Sequence, residues 1–436
     1  FRPRAVRAAA TMAVSGLVVT AAGFSPATAG AATKPPAQRP AFAFNCLHPP
    51  ASCYAPGQFR VAYGIEPLLD HGIDGRGETV VVPELATPRG QGSDIRKDLT
   101  AFDSTFGLPA ARIQVVNSVA HASSPWTAQG EEVEDTEIVH AVAPAATIRV
   151  ILFSPKATAS APGFASAITT FLRLGLTEGN VLSLSTSLGE HFFTTGEITG
   201  INAALQADKA HHVTVIASSG DYGAVSDMNL GETAPVKEVS LPASDPLVLA
   251  VGGTSLTANR SSGAYISERA WNTLPELPGG HSSASAGGFS HVFARPSYQT
   301  GVAGSEATRG VPDVSGDAAF NTGMALVVEG PGGGILTGAT GTSAAAPLWA
   351  GLVALAGQFA GHPLGFVNPA IYQIAGSPAY HAAFHDVTTG NNTFKLRKPP
   401  TTVPGYQATP GWDPVTGWGS PNAQVLVPLL ALYTRH

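Results

Sequence analysis

Apolar runs that alternate with helical segments constrain the fold of this chain more than any other feature. The runs rich in β-formers are Thr79–Val82, Thr147–Phe153, Val181–Ser185, Val213–Ser218 and Leu247–Val251. Helical stretches lie between several of them, over Glu131–Ala143, Phe164–Leu174 and Gly196–Ala210. Strands that are apolar throughout and alternate with helices are typical of a mostly parallel sheet covered on both faces. The sequence therefore predicts one large α/β domain.

Three segments are predicted along the chain. Residues 1–31 carry three arginines, then an apolar stretch and small residues, which is the pattern of a secretion signal. A membrane anchor is the weaker alternative, because the apolar core is short and rich in Ala, Gly and Ser. Residues 32–53 form a linker rich in Pro and Ala, and residues 54–436 form the folded domain. We therefore expect a secreted, extracellular protein.

Cys46 and Cys53 are the two cysteines of the chain, and both lie in the predicted linker. In an exported protein the first expectation is a local disulfide between them, although both could stay free.

Only 12% of the residues are charged and the formal net charge is −6. The chain therefore lacks the excess of basic residues that is typical of a nucleic-acid-binding protein. With so few ionisable groups, the charges of the protein repel one another little in acid.

A serine at the mouth of a predicted buried helix is the first candidate for chemistry. Ser343 follows Gly341 and Thr342 and precedes the apolar run Leu348–Ala356. The unpaired N–H groups of a helix N-terminus can stabilise an oxyanion that forms beside such a serine. An ordinary Thr or Ser N-cap on a core helix has the same pattern. What Ser343 does therefore depends on its partners.

Histidine does not supply an evident base for this serine. None of the 13 histidines lies in the His-Gly-Thr-His context of a subtilisin-like enzyme, and the sequence lacks the Gly-x-Ser-x-Gly elbow of α/β-hydrolases. Carboxylates are the alternative, because Glu131 and Asp135 share one face of the predicted helix. Paired carboxylates that share a proton supply a base in acid. A solvated acidic helix face would have the same spacing.

Asp221 is a further candidate because it follows the buried strand that ends at Ser218. This location is the carboxyl edge of the predicted sheet, where the sites of α/β proteins collect. The alternative is an Asp that forms an Asx-turn between glycines.

Together these segments resemble the sedolisin family of serine-carboxyl peptidases, which share the subtilisin fold. The resemblance extends from Tyr54 to Asn422. Its further motifs, in order, are Ala55–Gly64, Pro242–Pro246, Ala250–Thr254, Gly287–Ser290 and Val311–Ser315. It implies a subtilisin-like three-layer fold with a mostly parallel central sheet flanked by helices.

The resemblance implies a role for each candidate residue. Glu131 would be the general base on Ser343, and Asp135 would hold and polarise Glu131. Asp221 would stand in the oxyanion hole with the backbone N–H of Ser343. Glu84, at the end of the first strand, matches an acidic position that extends the hydrogen-bond network towards the base. A surface carboxylate at a strand end is the alternative for Glu84.

These roles predict activity on the acid side of neutrality. A carboxyl donates to an oxyanion only when it is protonated, and a free Asp titrates at about pH 3.9. Asp221 must therefore keep its proton while Glu131 is ionised, which gives a bell-shaped pH profile.

The resemblance also implies one structural calcium ion, Ca²⁺, near the C-terminus. Its ligands would be the side chains of Asp386 and Asp413 and the backbone carbonyls of Val387, Thr409 and Gly411. Such oxygen donors suit this hard cation. Taken alone, two Asp residues in loops rich in Gly and Pro are usually turn formers.

Departures from the family pattern bear on regulation and specificity. Too few residues separate the signal from Tyr54 for the long folded prodomain usual in sedolisins, so no such prodomain is evident. Glu134 stands where an apolar residue commonly precedes the catalytic Asp, and Tyr222 stands where a small residue is frequent. The segment 187–189 lacks the aromatic residue often found in the cleft wall.

The function predicted from these features is that of a secreted, acid-acting serine-carboxyl endopeptidase. It would cut protein or peptide substrates through an acyl-serine intermediate as a monomer, without nucleic acid and without a membrane once the signal is removed. One alternative is a tripeptidyl-type exopeptidase with the same chemistry. The other is an inactive secreted binding protein on this fold, against which the intact set of four candidate residues argues.

Overall fold

The computed structural model describes most of the chain after the predicted linker. The described residues are 53–85, 94–117, 130–153, 160–226, 236–274, 282–302, 307–330, 333–397 and 400–434. The predicted signal, and the predicted linker up to Ser52, lie outside them. All described residues belong to one unit, Phe42–His436.

The described residues form ten α-helices and eighteen strands. The helices are α1 Pro56–Ala62, α2 Glu66–Asp70, α3 Ile95–Phe106, α4 Glu131–Val142, α5 Ala161–Glu178, α6 Thr195–Ala210, α7 Thr342–Ala360, α8 Asn368–Ala375, α9 Tyr380–Ala383 and α10 Ala423–Tyr433. The strands are β1 Thr79–Leu85, β2 Arg112–Asn117, β3 Thr147–Phe153, β4 Val181–Leu184, β5 Leu188–Gly189, β6 Thr214–Ser218, β7 Ser240–Leu241, β8 Leu249–Ala258, β9 Tyr265–Ala270, β10 Gly288–Ala294, β11 Thr308–Val311, β12 Val314–Asp317, β13 Ala325–Gly330, β14 Gly333–Gly338, β15 Phe384–His385, β16 Phe394–Arg397, β17 Pro400–Val403 and β18 Ser420–Pro421.

Eight strands form the central sheet. Seven of them are parallel, in the order β12-β8-β6-β4-β1-β3-β2, and β9 pairs antiparallel with β8. The five apolar runs of the sequence lie in β1, β3, β4, β6 and β8, with end points shifted by a few residues. The predicted mostly parallel sheet is confirmed.

Helices cover both faces of this sheet. The side chains of β1 alternate between two apolar clusters, because Val80 and Val82 belong to one cluster and Val81 belongs to the other. Helices α4, α7 and α10 contribute to the first cluster, and α5 and α6 contribute to the second. The result is the predicted three-layer fold, in which the inner strands of the middle layer, such as β4 and β6, are buried from both sides.

Helix α7 contributes to the first of these two apolar clusters. It is long and apolar enough to span a membrane, but 78% of its most apolar window is buried inside the protein. It packs against β4, β6, β8 and β12. Its apolar length is therefore explained by the core of the fold.

Three neighbouring strands bring polar residues to one edge of the sheet. Strands β6, β4 and β1 are adjacent and parallel, so their carboxyl ends lie side by side. Asp221 follows β6, Ser185 follows β4, and Glu84 is the penultimate residue of β1. This edge is where a parallel α/β sheet places its functional groups.

Candidate active site

Ser343 is the second residue of α7 and is half-buried. A glycine precedes the helix for a structural reason, because Gly341 has a φ of 86°. A Cβ atom on Gly341 would also lie 2.7 Å from Oδ2 of Asp221. The turn before Ser343 therefore requires glycine both for its conformation and for its close approach to Asp221.

Helix α4 carries the two candidate partners of the serine. Glu131 is the first residue of α4 and is exposed, whereas Asp135, one turn later, is completely buried. Glu132, Glu134 and Glu137 are buried as well. Most of this acidic helix therefore faces the protein interior, which contradicts the alternative of a solvated helix face.

The two helices pack closely enough to bring these groups together. A Cβ atom on Gly351 of α7 would lie 2.5 Å from Cγ1 of Val142 on α4. The backbone of α7 can approach α4 at this point because residue 351 has no side chain. The first turn of α4 also approaches the segment before α7, where Oε2 of Glu134 accepts the N–H of Thr340.

A buried hydrogen-bond network surrounds Asp135. The hydroxyl of Ser185 donates to Oδ2 of Asp135 at 2.6 Å and lies 3.4 Å from the backbone carbonyl of Ser343. A side-chain hydrogen bond also joins Asp135 to Glu84, which is only 6% exposed. Ser185 thus connects the acids of α4 to the residue that bears the candidate nucleophile.

Asp135 and Glu84 hold a proton between them. Burial raises the pKa of Glu84, and the neighbouring Asp135 and Glu131 raise it further. Burial and Glu131 raise the pKa of Asp135, while its hydrogen bonds with Glu84 and Ser185 lower it. Two carboxyls in contact cannot both ionise without a large repulsion, so one of them stays protonated.

Asp221 contacts the residue that precedes the serine. Its Oδ1 accepts hydrogen bonds from the backbone N–H of Thr342 at 2.8 Å and from the Thr342 hydroxyl at 2.9 Å. The same hydroxyl accepts from the N–H of Gly220. Burial raises the pKa of Asp221, and its two hydrogen bonds with Thr342 lower it. The carboxyl therefore favours its protonated form in acid, with Oδ2 available to carry the proton.

The structure gathers the five residues singled out in the sequence: Glu84, Glu131, Asp135, Asp221 and Ser343. Sequence reasoning missed Ser185 and Thr342, because hydroxyl residues at strand ends and helix starts are too common to stand out. It noted Glu134 only as a departure from a family pattern. Glu134 is 7% exposed, and its Oε2 accepts from the N–H of Thr340 at 3.2 Å.

The residues proposed for calcium also come together. The N–H of Gly411 lies 3.1 Å from Oδ2 of Asp386, and the N–H of Thr409 donates to Oδ2 of Asp413 at 3.0 Å. The Thr416 hydroxyl contacts Asp413 and lies 3.5 Å from the carbonyl of Val387.

Burial raises the pKa of Asp413 to about 6. Within the described ranges no group of three or more His, Cys, Asp or Glu could hold a metal. The donor set of two carboxylates and loop carbonyls still has the all-oxygen chemistry that Ca²⁺ prefers, because each carboxylate keeps lone pairs beyond those used by the N–H groups.

Cys53 is disulfide-bonded. It is 1% exposed and contacts Ala325 at the start of β13. Cys46, its predicted partner, lies outside the described residues.

Comparison with known proteins gives one family match and several relatives. The model of the subtilase family matches residues 122–370. Kumamolisin from Bacillus sp. (strain MN-32) is 37% identical over 382 residues, which are 85% of this chain and 62% of kumamolisin. Sedolisin from Pseudomonas sp. (strain 101) is 31% identical over 336 residues, 75% of this chain and 54% of sedolisin. The chain thus spans less than two thirds of the length of these relatives.

A solved structure agrees with the sequence relatives. Pseudomonas sedolisin, a serine-carboxyl proteinase complexed with pseudo-iodotyrostatin, superposes with a TM-score of 0.71 and 28% identity. The match covers 86% of this chain and 97% of that structure.

Proposed function

This chain belongs to the sedolisin family within the subtilases, and on that premise we propose that it is a serine-carboxyl peptidase whose nucleophile is Ser343. One observation carries the proposal. The Ser185 hydroxyl joins Asp135 of α4 to the backbone of Ser343, while Asp221 holds the residue before the serine. The serine therefore stands between a pair of linked acids and a carboxyl that can donate a proton.

In the proposed reaction Glu131 removes the proton from the Ser343 hydroxyl as its oxygen attacks the substrate carbonyl. The tetrahedral oxyanion accepts hydrogen bonds from the Ser343 N–H and from protonated Asp221. Glu131 then gives its proton to the leaving amine, and the peptide bond breaks to leave an acyl-serine. Water, deprotonated by Glu131, hydrolyses the acyl-serine, and the proton returns to Ser343.

Asp135 and Glu84 influence the ability of Glu131 to act as a base. The proton held between Asp135 and Glu84 leaves that pair with one negative charge near Glu131 instead of two. As Glu131 gains the serine proton its own negative charge disappears, which relieves repulsion within the cluster. This arrangement supports a base that works while Asp221 is still protonated.

We propose that the enzyme is exported, works in acid and acts as an endopeptidase. Export is supported by the signal pattern of residues 1–31 and by the disulfide at Cys53, which suits an oxidising compartment. Acid action is supported by Asp221, because its role as a donor requires a proton. Its substrates would be proteins or peptides, and removal of tripeptides from a free N-terminus is the alternative specificity.

The decisive experiment measures hydrolysis of casein and of one peptide with a free or a blocked N-terminus between pH 3 and 7. We expect a bell-shaped profile for the wild type and loss of activity in Ser343→Ala and Glu131→Gln. Ser104→Ala, an exposed serine on α3, is the control. Full activity of Ser343→Ala would overturn the mechanism, and cleavage only of the free N-terminus would identify the exopeptidase.

We propose that one Ca²⁺ ion stabilises the C-terminal loops. Asp386 and Asp413 would bind through their side chains, and Val387, Thr409 and Gly411 through their carbonyls. A ligand that binds only the folded state raises the melting temperature. We therefore expect Ca²⁺ to raise the melting temperature and a chelator to lower it, with no response in Asp413→Asn. A wild-type melting temperature that ignores both additives would contradict the site.

A further inference from the structure

Glu134 holds the chain segment that leads into Ser343. Its Oε2 accepts the backbone N–H of Thr340 at 3.2 Å, and the Thr340 hydroxyl donates to the carbonyl of Ala318 at 3.2 Å. Thr340 stands three residues before Ser343. Glu134 therefore connects α4 directly to the start of the nucleophile turn.

A second carboxyl holds the same turn. Oδ1 of Asp221 accepts both the N–H and the hydroxyl of Thr342, and Asp221 also approaches Gly341 closely. Residues 340–342 are thus fixed between a carboxyl from α4 and a carboxyl that follows β6. A turn held at two points leaves little freedom in the position of Ser343.

We propose that Glu134 is a positioning residue for Ser343, whose hydrogen bond to Thr340 sets the distance between the nucleophile turn and the helix that carries Glu131. The inference rests on the proposed function, because it assigns Glu134 a part in the same reaction. Glu134 does not touch the reacting atoms, so it acts only through the turn. A displacement of about 1 Å at such a position can cost roughly 100-fold in rate.

The surroundings of Glu134 determine the form in which it acts. Burial raises its pKa, and the charges of Glu131 and Asp135 on its own helix and of Asp221 beyond the turn raise it further. The hydrogen bond from Thr340 lowers it. In acid Glu134 is therefore a neutral carboxyl that accepts at Oε2. Its Oε1 is buried and has no hydrogen-bond partner within the described residues, so this oxygen is free to carry the proton.

A neutral carboxyl can be replaced by an amide of the same shape. Glu134→Gln keeps an oxygen for the Thr340 N–H and a donor in place of the proton, so its kcat should remain close to that of the wild type. Glu134→Leu fills the space but leaves the Thr340 N–H unpaired. Its kcat should fall about 10- to 100-fold at the acid optimum with little change in KM.

Glu137→Leu is the matched control. Glu137 also lies on α4, is completely buried and accepts a backbone N–H, but that N–H belongs to Val327 in β13. Its replacement should lower the melting temperature and leave kcat unchanged. Comparing the two Leu variants separates the loss of a buried acceptor from the loss of serine positioning.

Kinetics of the full-length protein with one peptide substrate, together with melting temperatures, test the proposal. Loss of kcat in Glu134→Leu, rescue in Glu134→Gln and a wild-type kcat in Glu137→Leu would support it. A wild-type kcat in Glu134→Leu, or an equal loss in Glu134→Gln, would overturn it. Activity that survives in Ser343→Ala would instead refute the proposed function, whatever Glu134 does.

Discussion

At the scale of single residues, two serines on one strand have opposite surroundings. Both Ser183, within β4, and Ser185, immediately after it, are near the centre of the sheet. The Ser185 hydroxyl contacts Asp135, whereas the Ser183 hydroxyl is buried without a partner among the described residues. The pair makes it possible to separate the loss of a hydroxyl from the loss of its hydrogen bond.

Ser185→Ala should lower kcat at the acid optimum by about 10- to 100-fold, because a hydrogen bond to a charged group contributes about 1.5–3 kcal/mol. Ser183→Ala should leave kcat unchanged. Steady-state kinetics on one peptide substrate measure both. Equal kcat values for Ser185→Ala and the wild type would show that the contact with Asp135 does not support the base.

Asp221 permits a prediction about the alkaline side of the pH profile. Asp221→Ala removes the proposed oxyanion donor and should lower kcat by about 100- to 1000-fold. Asp221→Asn keeps an oxygen for Thr342 and carries a donor that needs no acid. Its kcat at the acid optimum should exceed that of Asp221→Ala, and its activity should extend to higher pH than in the wild type. If the activity of Asp221→Asn falls at the same alkaline pH as that of the wild type, Asp221 is not the group whose titration limits activity there.

At the scale of secondary-structure elements, the distance between α4 and α7 decides whether the acids reach the serine. The two helices approach closely where Gly351 faces Val142. The three atoms nearest to a Cβ atom at residue 351 all belong to Val142 and Val139 of α4. The absence of a side chain at residue 351 therefore permits the close approach of the two helices.

Gly351→Ala should separate the helices and lower the free energy of unfolding by about 1–3 kcal/mol, because a methyl group is forced into a filled space. It should also lower kcat. Val142→Ala makes room opposite, so the double variant should recover part of both losses. Gly200→Ala on α6, where a Cβ atom meets nothing within 4 Å, is the control and should not destabilise. Denaturant unfolding and kinetics test the set, and additive losses in the double variant would argue against the contact.

At the scale of the whole molecule, buried carboxyls link stability to pH. Asp208 on α6 is completely buried, and neither carboxyl oxygen has a partner within the described residues. Burial raises the pKa of Asp208 to about 8 and that of Asp317 to about 7. Each group keeps its proton in the folded protein at pH values where the unfolded chain, with an Asp pKa of about 3.9, has lost it.

The sign of the pH dependence follows from this difference. From pH 4 up to about pH 8 for Asp208, and up to about pH 7 for Asp317, the unfolded state binds fewer protons than the folded state, so the free energy of unfolding falls as the pH rises. The fall is about 1.4 kcal/mol per pH unit for each such group. Denaturant unfolding at pH 4, 6 and 8 should show a shallower fall in Asp208→Asn, and the exposed control Asp70→Asn should follow the wild type. Stability that rises over this range in the wild type would contradict the prediction.

Much of the fold was predictable because it depends on local pattern. Apolar strands of four to seven residues and the helices between them are visible in the sequence, and the order of motifs identified the family. Glu84 was not decided by sequence, since a carboxylate at the end of a strand can face solvent or the network. Only the adjacency of β1, β4 and β6 brings Glu84 to Asp135 and Ser185.

The sequence by itself determined the α/β layers, the glycine turn before Ser343 and the residue types available for acid chemistry, because these depend on periodicity and backbone conformation. Tertiary structure alone decided which acids are buried, which of them share a proton and which hydroxyl connects them to the serine. Burial and proton sharing depend on distances between elements that lie far apart in the chain. For the same reason Glu134, which the sequence marks only as an unusual acid, acquires its contact with Thr340 through the packing of α4 against the nucleophile turn.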